Sequence, residues 1–163
     1  MTTALPAPGT YLVDPAGSTV RFTTTHLWGL GTVRGSLAVT GGRITVAADR
    51  VEAVGTVAAA SFDTGNGARD GAVRSARYLD AEAHPEITLR AAGPPTGPVP
   101  GELTVRGRTA PVELAVVDVQ PDGDVLVVRL TTTVDRYAHG LTAQKGMTGR
   151  HLQLELTARA TRA

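Results

Sequence analysis

The feature that most constrains this chain is side-chain alternation with a period of two, sustained almost from end to end. From Ser18 to Trp28, the residues Val20, Phe22, Thr24, His26 and Trp28 share one face, while Arg21, Thr23 and Thr25 share the other. A helix would scatter these residues around its axis, whereas consecutive strand residues point to opposite faces. The threonines on the second face also suit a pleated strand better than a helix. Alternation returns from Thr32 to Thr40, with Val33, Leu37 and Val39 in phase, and again from Pro85 to Arg90. It continues through Gly101 to Arg106, Pro111 to Val119 and Val125 to Val134. In the last stretch, His151 to Ala160, Leu152, Leu154 and Leu156 oppose Gln153, Glu155 and Thr157. Val51 to Ser61 is apolar and β-branched enough to be a strand buried on much of both sides.

Turn chemistry separates these stretches. Gly29-Leu30-Gly31 reads as a turn, Gly41-Gly42 as a tight hairpin into Arg43 to Val46, and Gly107-Arg108-Thr109 and Pro121 to Asp124 as two further reversals. Gly93 to Pro98 is too rich in Pro and Gly to pair in a ladder. The alternation lapses once, from Asp63 to Asp80, where Asn66 can cap a short helix through Ala72 to Ser75 with Asp70 in its early part. The expected fold is therefore all-β, with about eight antiparallel strands and a short helical insertion around residues 66–80. Such a meander closes as a sandwich or a barrel, and the length favours an eight-stranded barrel with room for one small ligand. Residues 1–8 read as a flexible tail and residues 9–163 as a single domain.

Composition narrows the function. With 163 residues the chain suits one domain. Its aromatic content is only 4%, so an interior must be built from Val, Leu, Ile and Ala, which suits a flexible hydrocarbon better than a flat aromatic cofactor. The net charge is +1, with no basic run, so the electrostatic footprint of nucleic-acid binding is missing. All the cations except Lys145 are arginine, a bias that fits a GC-rich genome. Cysteine is absent, which removes disulfides, thiol catalysis and thiolate metal sites. The first residues lack the basic and apolar regions of a signal peptide, and no run has the length of a membrane span. A cytoplasmic location without stable membrane insertion is the expectation.

Four segments, in order and spacing, resemble the YceI-like family of lipid-binding proteins with lipocalin-like barrels. They begin with Tyr11-Leu12-Val13-Asp14-Pro15, together with Ser18, Phe22 and His26. The most specific stretch is Ser61-Phe62-Asp63-Thr64-Gly65-Asn66, followed by Arg69-Asp70, Arg74-Ser75, Asp80 and His84-Pro85-Glu86-Ile87. Gly101 to Gly107 with Pro111 to Leu114 forms the third, and Val134-Asp135-Arg136 with Gly140-Leu141 the fourth. Two departures stand near expected loops: Arg77-Tyr78-Leu79 replaces the family's frequent paired phenylalanines, and Ala138-His139 replaces an acidic-aromatic pair. The resemblance implies a bacterial protein whose barrel binds, carries or sequesters a polyisoprenoid, an isoprenoid quinone or a fatty-acyl derivative. It implies no catalysis and no cofactor beyond such a bound lipid or quinone. An enzyme acting on an isoprenoid lipid and a stress-associated β domain with a filled core are the alternatives. Long edge strands would allow a homodimer.

The candidate lining is the inward face of each strand: Phe22, His26, Trp28, Val33, Leu37, Ile87, Leu89, Leu103, Val105, Leu114 and Val116. The same residues could simply fill the core, because an eight-stranded barrel can be solid or hollow. His26 is either a hydrogen-bonded core residue or a polar handle for a quinone carbonyl or headgroup. His26, His84, His139 and His151 have no metal-ligand spacing, so no metal site is expected. Asp63, Arg69 and Asp70 read as a turn and cap, with Arg69 pairing with a nearby carboxylate. Asp135-Arg136 reads as an ion pair at a strand end. No serine or histidine sits in a recognisable nucleophile motif, so no catalytic residue is assigned.

Overall fold

Alternation becomes strand wherever a partner is available. The computed structural model describes residues 6–26, 31–143 and 149–163, without the side chains of Thr25 and His26. The strands are β1 (Gly9–Val13), β2 (Thr19–His26), β3 (Gly31–Leu37), β4 (Val39–Val46), β5 (Val51–Ala58), β6 (Glu86–Gly93), β7 (Val99–Val105), β8 (Arg108–Asp122), β9 (Val125–Asp135) and β10 (His151–Arg162). One sheet joins them in the order β1-β4-β5-β6-β7-β8-β9-β10-β2-β3, and β1 also pairs with β10, which closes a barrel. β1 and β2 are two halves of one bent stave, and β3 and β4 are two halves of another, so ten segments make eight staves. The hand-over occurs on β10, whose Gln153–Thr157 stretch pairs with β2 and whose Ala160–Arg162 stretch pairs with β1. At the corner, Asp14 N–H donates to the Arg159 carbonyl at 2.8 Å, and the Ser18 hydroxyl accepts from Arg159 N–H at 3.0 Å. Closure leaves β1 and β10 no unpaired edge there, where an open sheet would expose one.

The tight hairpin expected at Gly41-Gly42 is not formed. Both glycines lie inside β4, where Gly41 pairs with Thr56 and Gly42 with Gly55, and a bulge falls between Val39 and Gly41. The chain reverses instead between Val46 and Val51, where Ala47 N–H donates to the Arg50 carbonyl. Gly42 serves close approach rather than turning: a Cβ there would stand 2.7 Å from the Val54 carbonyl oxygen. The next expected reversal is present but starts one residue earlier. Arg106 and Gly107 both have positive φ, 52° and 73°, and Val105 pairs directly with Arg108, which makes a two-residue hairpin of the primed type. Gly107→Val is expected to cost about 2 kcal/mol, because a branched side chain resists the left-handed region. A urea midpoint that falls with an unchanged slope would register it.

The helical insertion is α1 (Gly67–Arg74), and the Asn66 side chain caps it by accepting from Arg69 N–H at 3.0 Å. Among the described residues Arg69 has no carboxylate partner; its Nε donates to the Thr64 hydroxyl at 2.9 Å. Asp63 shapes the preceding turn by accepting from Gly65 N–H. The segment is stitched to β3 through Ser36 and Asp63, which exchange two backbone hydrogen bonds of 2.9 and 3.1 Å.

Apolar side chains gather at both ends of the barrel. Tyr11, Val46, Leu126 and Ala160 form a nearly solvent-free plug at one end. At the other, Phe22, Phe62, Leu79, Leu103, Val105, Val134 and Leu141 belong to a larger cluster. A third cluster of Ala91, Val99 and Leu114 fills the corner between β6, β7 and β8. Among the described residues, no helix is long and apolar enough to cross a membrane.

Candidate functional site

Between the two end clusters the barrel is hollow, with a cavity of about 220 Å³. Its long axis follows β9 and β10: Val128, Leu130, Thr132 and Val134 face it from one, and Leu152, Leu154, Leu156 and Ala158 from the other. Val128 to Val134 spans six strand steps, or about 20 Å at roughly 3.3 Å per step. A tail extended along that span accommodates roughly three to four isoprene units, each contributing about four carbon–carbon steps.

Small residues create the space. Gly55 and Ala53 sit opposite Gly42 and Ile44, and all four belong to the inward face of β4 and β5. A Cβ on Gly55 would meet nothing closer than the Gly41 carbonyl oxygen at 4.0 Å. Opposite them, Phe22 and Phe62 stack with ring centroids 5.0 Å apart. Phe62 is held over the barrel by Arg74, whose guanidinium donates to the Phe62 carbonyl.

Of the residues expected to line a bore, Phe22, Leu37, Ile87, Leu89, Leu103 and Val105 border the cavity. Val33, Leu114 and Val116 do not. Val33 is buried opposite Thr24, a step beyond Phe22 toward the end of the β2–β3 pair. Leu114 is opposite Val99 and packs into the corner cluster with Ala91, and Val116 packs against that cluster too. Trp28 and the His26 side chain lie outside the described residues. Expectation passed over Phe62, Leu79, Leu141 and the whole β9–β10 wall. The β9 and β10 residues carry the same alternation as those expected to line the bore, so the sequence holds the signal for them.

Two buried ionisable groups also border the cavity, Arg136 at 5% exposure and His139 at 2%. The expected Asp135–Arg136 ion pair is absent. A short 3₁₀ turn over Arg136–His139 swings Arg136 inward, where Nε donates to the Gly149 carbonyl at 2.8 Å and an Nη to the Leu141 carbonyl at 2.6 Å. Its guanidinium also lies 5.0 Å from the Tyr137 ring centroid and 6.0 Å from that of Tyr78. Asp135 pairs instead with Arg150 through two hydrogen bonds of 2.9 and 3.0 Å. Those bonds hold the Asp135 carboxyl below its ordinary value against the opposing effect of burial. His139 Nε2 is 2.9 Å from the Leu103 carbonyl, which can only accept, so this nitrogen carries the proton. Among the described residues, no three His, Asp or Glu side chains gather as metal ligands would.

A closed antiparallel barrel around an elongated, almost wholly apolar cavity defines a protein built to enclose a hydrocarbon-like guest. The YceI-like domain model matches residues 11–160, and the chain belongs to that family. The solved structures it resembles share its fold. The crystal structure of Burkholderia cenocepacia BcnA superposes with a TM-score of 0.78 at 21% identity, covering 91% of this chain and 99% of that one. A polyisoprenoid binding domain from Saccharophagus degradans, implicated in plant cell wall breakdown, gives 0.72 at 11% identity over 96% and 100%. A Campylobacter jejuni YceI protein gives 0.53 at 15% identity over 78% and 81%. Comparison with curated proteins by sequence found no match.

Proposed function

We propose that this chain binds a long-chain apolar lipid of the polyisoprenoid type in the barrel cavity and carries or sequesters it unchanged. The observation that carries the proposal is the elongated apolar cavity inside a closed barrel of a YceI-like chain. One structural neighbour is itself a polyisoprenoid binding domain, which supports the same ligand class. In this reading Phe22, Leu37, Ile87, Leu89, Leu103 and Val105 contact the tail. Burying one isoprene unit contributes roughly 2–3 kcal/mol. Association costs about 4–15 kcal/mol, so useful affinity requires most of the cavity to be filled. Shielding from water is all that a tail requires, and no catalytic group is needed for that. His139 fits this non-catalytic reading, since its Nε2 proton is directed to the Leu103 carbonyl rather than to the cavity.

The protein purified from its own cells is expected to carry an extractable apolar molecule at close to one per chain. Native mass spectrometry before and after organic extraction measures this. Barrels that are repeatedly empty, and stay empty when offered isoprenoid alcohols, would end the proposal.

A further inference from the structure

Among the described residues, the cavity wall includes seven polar side chains: Ser18, Thr19, Thr56, Thr132, Arg136, His139 and Thr157. None offers a polar atom to a guest. The Ser18 hydroxyl donates to the Asp14 carbonyl at 2.7 Å, and the Thr132 hydroxyl to the Glu113 carbonyl at 2.8 Å. Thr56 is hydrogen-bonded to Thr40 on the outer face, and Thr19 and Thr157 pair across β2 and β10, also facing outward. Arg136 and His139 direct their protons to main-chain carbonyls, as described above. Among the described residues, no buried side-chain nitrogen or oxygen lacks a partner within the protein. Even a group as large as the Arg136 guanidinium is therefore engaged within the protein.

A wall with this property has only dispersion and exclusion of water to offer. A headgroup drawn inside would lose its hydration and gain nothing in return, a penalty that keeps it out. We infer that the cavity recognises its ligand by the tail alone, selecting on length and cross-section and ignoring the chemistry of the head. The inference rests on the lipid-binding reading above and makes it narrower. The natural ligand class becomes any lipid whose flexible apolar tail supplies three to four isoprene units, whether it ends in an alcohol, a carboxylate, a phosphate or a quinone, or carries no head at all. Longer tails gain nothing, because the plug of Tyr11, Val46, Leu126 and Ala160 closes the far end.

Two ligand series test it, both read by displacement of a fluorescent polyene fatty acid from the whole protein. In the first, one four-unit isoprenoid tail is presented as alcohol, carboxylate, phosphate and parent hydrocarbon. Affinities within about threefold of one another are expected, below the tenfold that corresponds to one ordinary hydrogen bond. In the second, isoprenoid alcohols of two, three, four and six units are compared. Affinity is expected to climb roughly 30- to 150-fold per added unit and then to level off between three and four units. A tenfold or larger spread among the heads, or affinity still climbing at six units, would overturn the inference and leave lipid binding itself intact. Failure of every member to bind would overturn both.

Discussion

Gly55→Leu is expected to weaken tail binding by roughly 30- to 150-fold while leaving the barrel folded. The four carbons it adds displace nearly one isoprene unit, worth roughly 2–3 kcal/mol of burial. Few positions in the wall would accept such a plug so easily. Gly55 faces inward opposite Gly42, its φ lies outside the left-handed region, and its Cβ would enter open space. Glycine inside a strand costs about 0.5–1 kcal/mol relative to alanine, so the substitution should hold or slightly raise the unfolding temperature. Gly42→Leu supplies the contrast. Its Cβ would stand 2.7 Å from the Val54 carbonyl and 3.0 Å from Val13 Cγ2, so the strands must part and stability must fall. Thermal unfolding together with fluorescent displacement separates the two outcomes. A folded Gly55→Leu protein that binds as tightly as the parent would show that the tail lies elsewhere.

Gly55 also illustrates what alternation conveys and what it leaves out. The period of two assigns each residue to a face, which is why the inward phase of β2, β3, β6 and β7 is legible and six of the residues expected to line the bore border the cavity. It says nothing about height along the barrel axis. Leu114 shares a face with Val112, yet pairing with Val99 places it in the corner cluster, while Val112 borders the cavity. That height is set by register with strands distant in sequence. Gly41-Gly42 misled for a related reason: a glycine pair signals either a turn or a close approach, and only the partner strand decides which. Arg136 next to Asp135 suggested a local ion pair. The 3₁₀ turn separates the two side chains, sending one inward to carbonyls and the other outward to Arg150. Phe62 and Leu79 follow no strand period, so no pattern marked them as wall residues, although Phe62 stands in a segment that carried the family resemblance.

Asp70→Asn is expected to destabilise the protein by about 2–3 kcal/mol near neutral pH and to flatten its response to acid. The Asp70 carboxylate is 4% exposed and accepts from the Thr64 main-chain N–H at 3.0 Å and from the Thr64 hydroxyl. Hydrogen bonds to a charged acceptor contribute about 1.5–3 kcal/mol, and an amide that must turn its NH₂ toward one of these donors loses much of that. The bonds matter beyond α1, because Thr64 follows the Ser36–Asp63 bridge that fastens this segment to the barrel, and the same segment presents Phe62 to the cavity. Burial on its own would raise the Asp70 carboxyl; the hydrogen bonds from Thr64, with help from Arg74, outweigh it and hold the group below 3.8. A folded-state value below the unfolded one means that the unfolded chain binds more protons over the interval between them. Stability therefore rises with pH there, is fully present above about pH 4, and is lost as pH falls through the lowered value. Asp135 is lowered as well, so part of the acid slope belongs to its exposed pair with Arg150 and survives the substitution. Urea unfolding of parent and variant at a series of pH values from neutral to strongly acid measures the difference. The two curves should converge toward the acid end, and parallel curves across that range would show that the carboxylate is not what secures the segment.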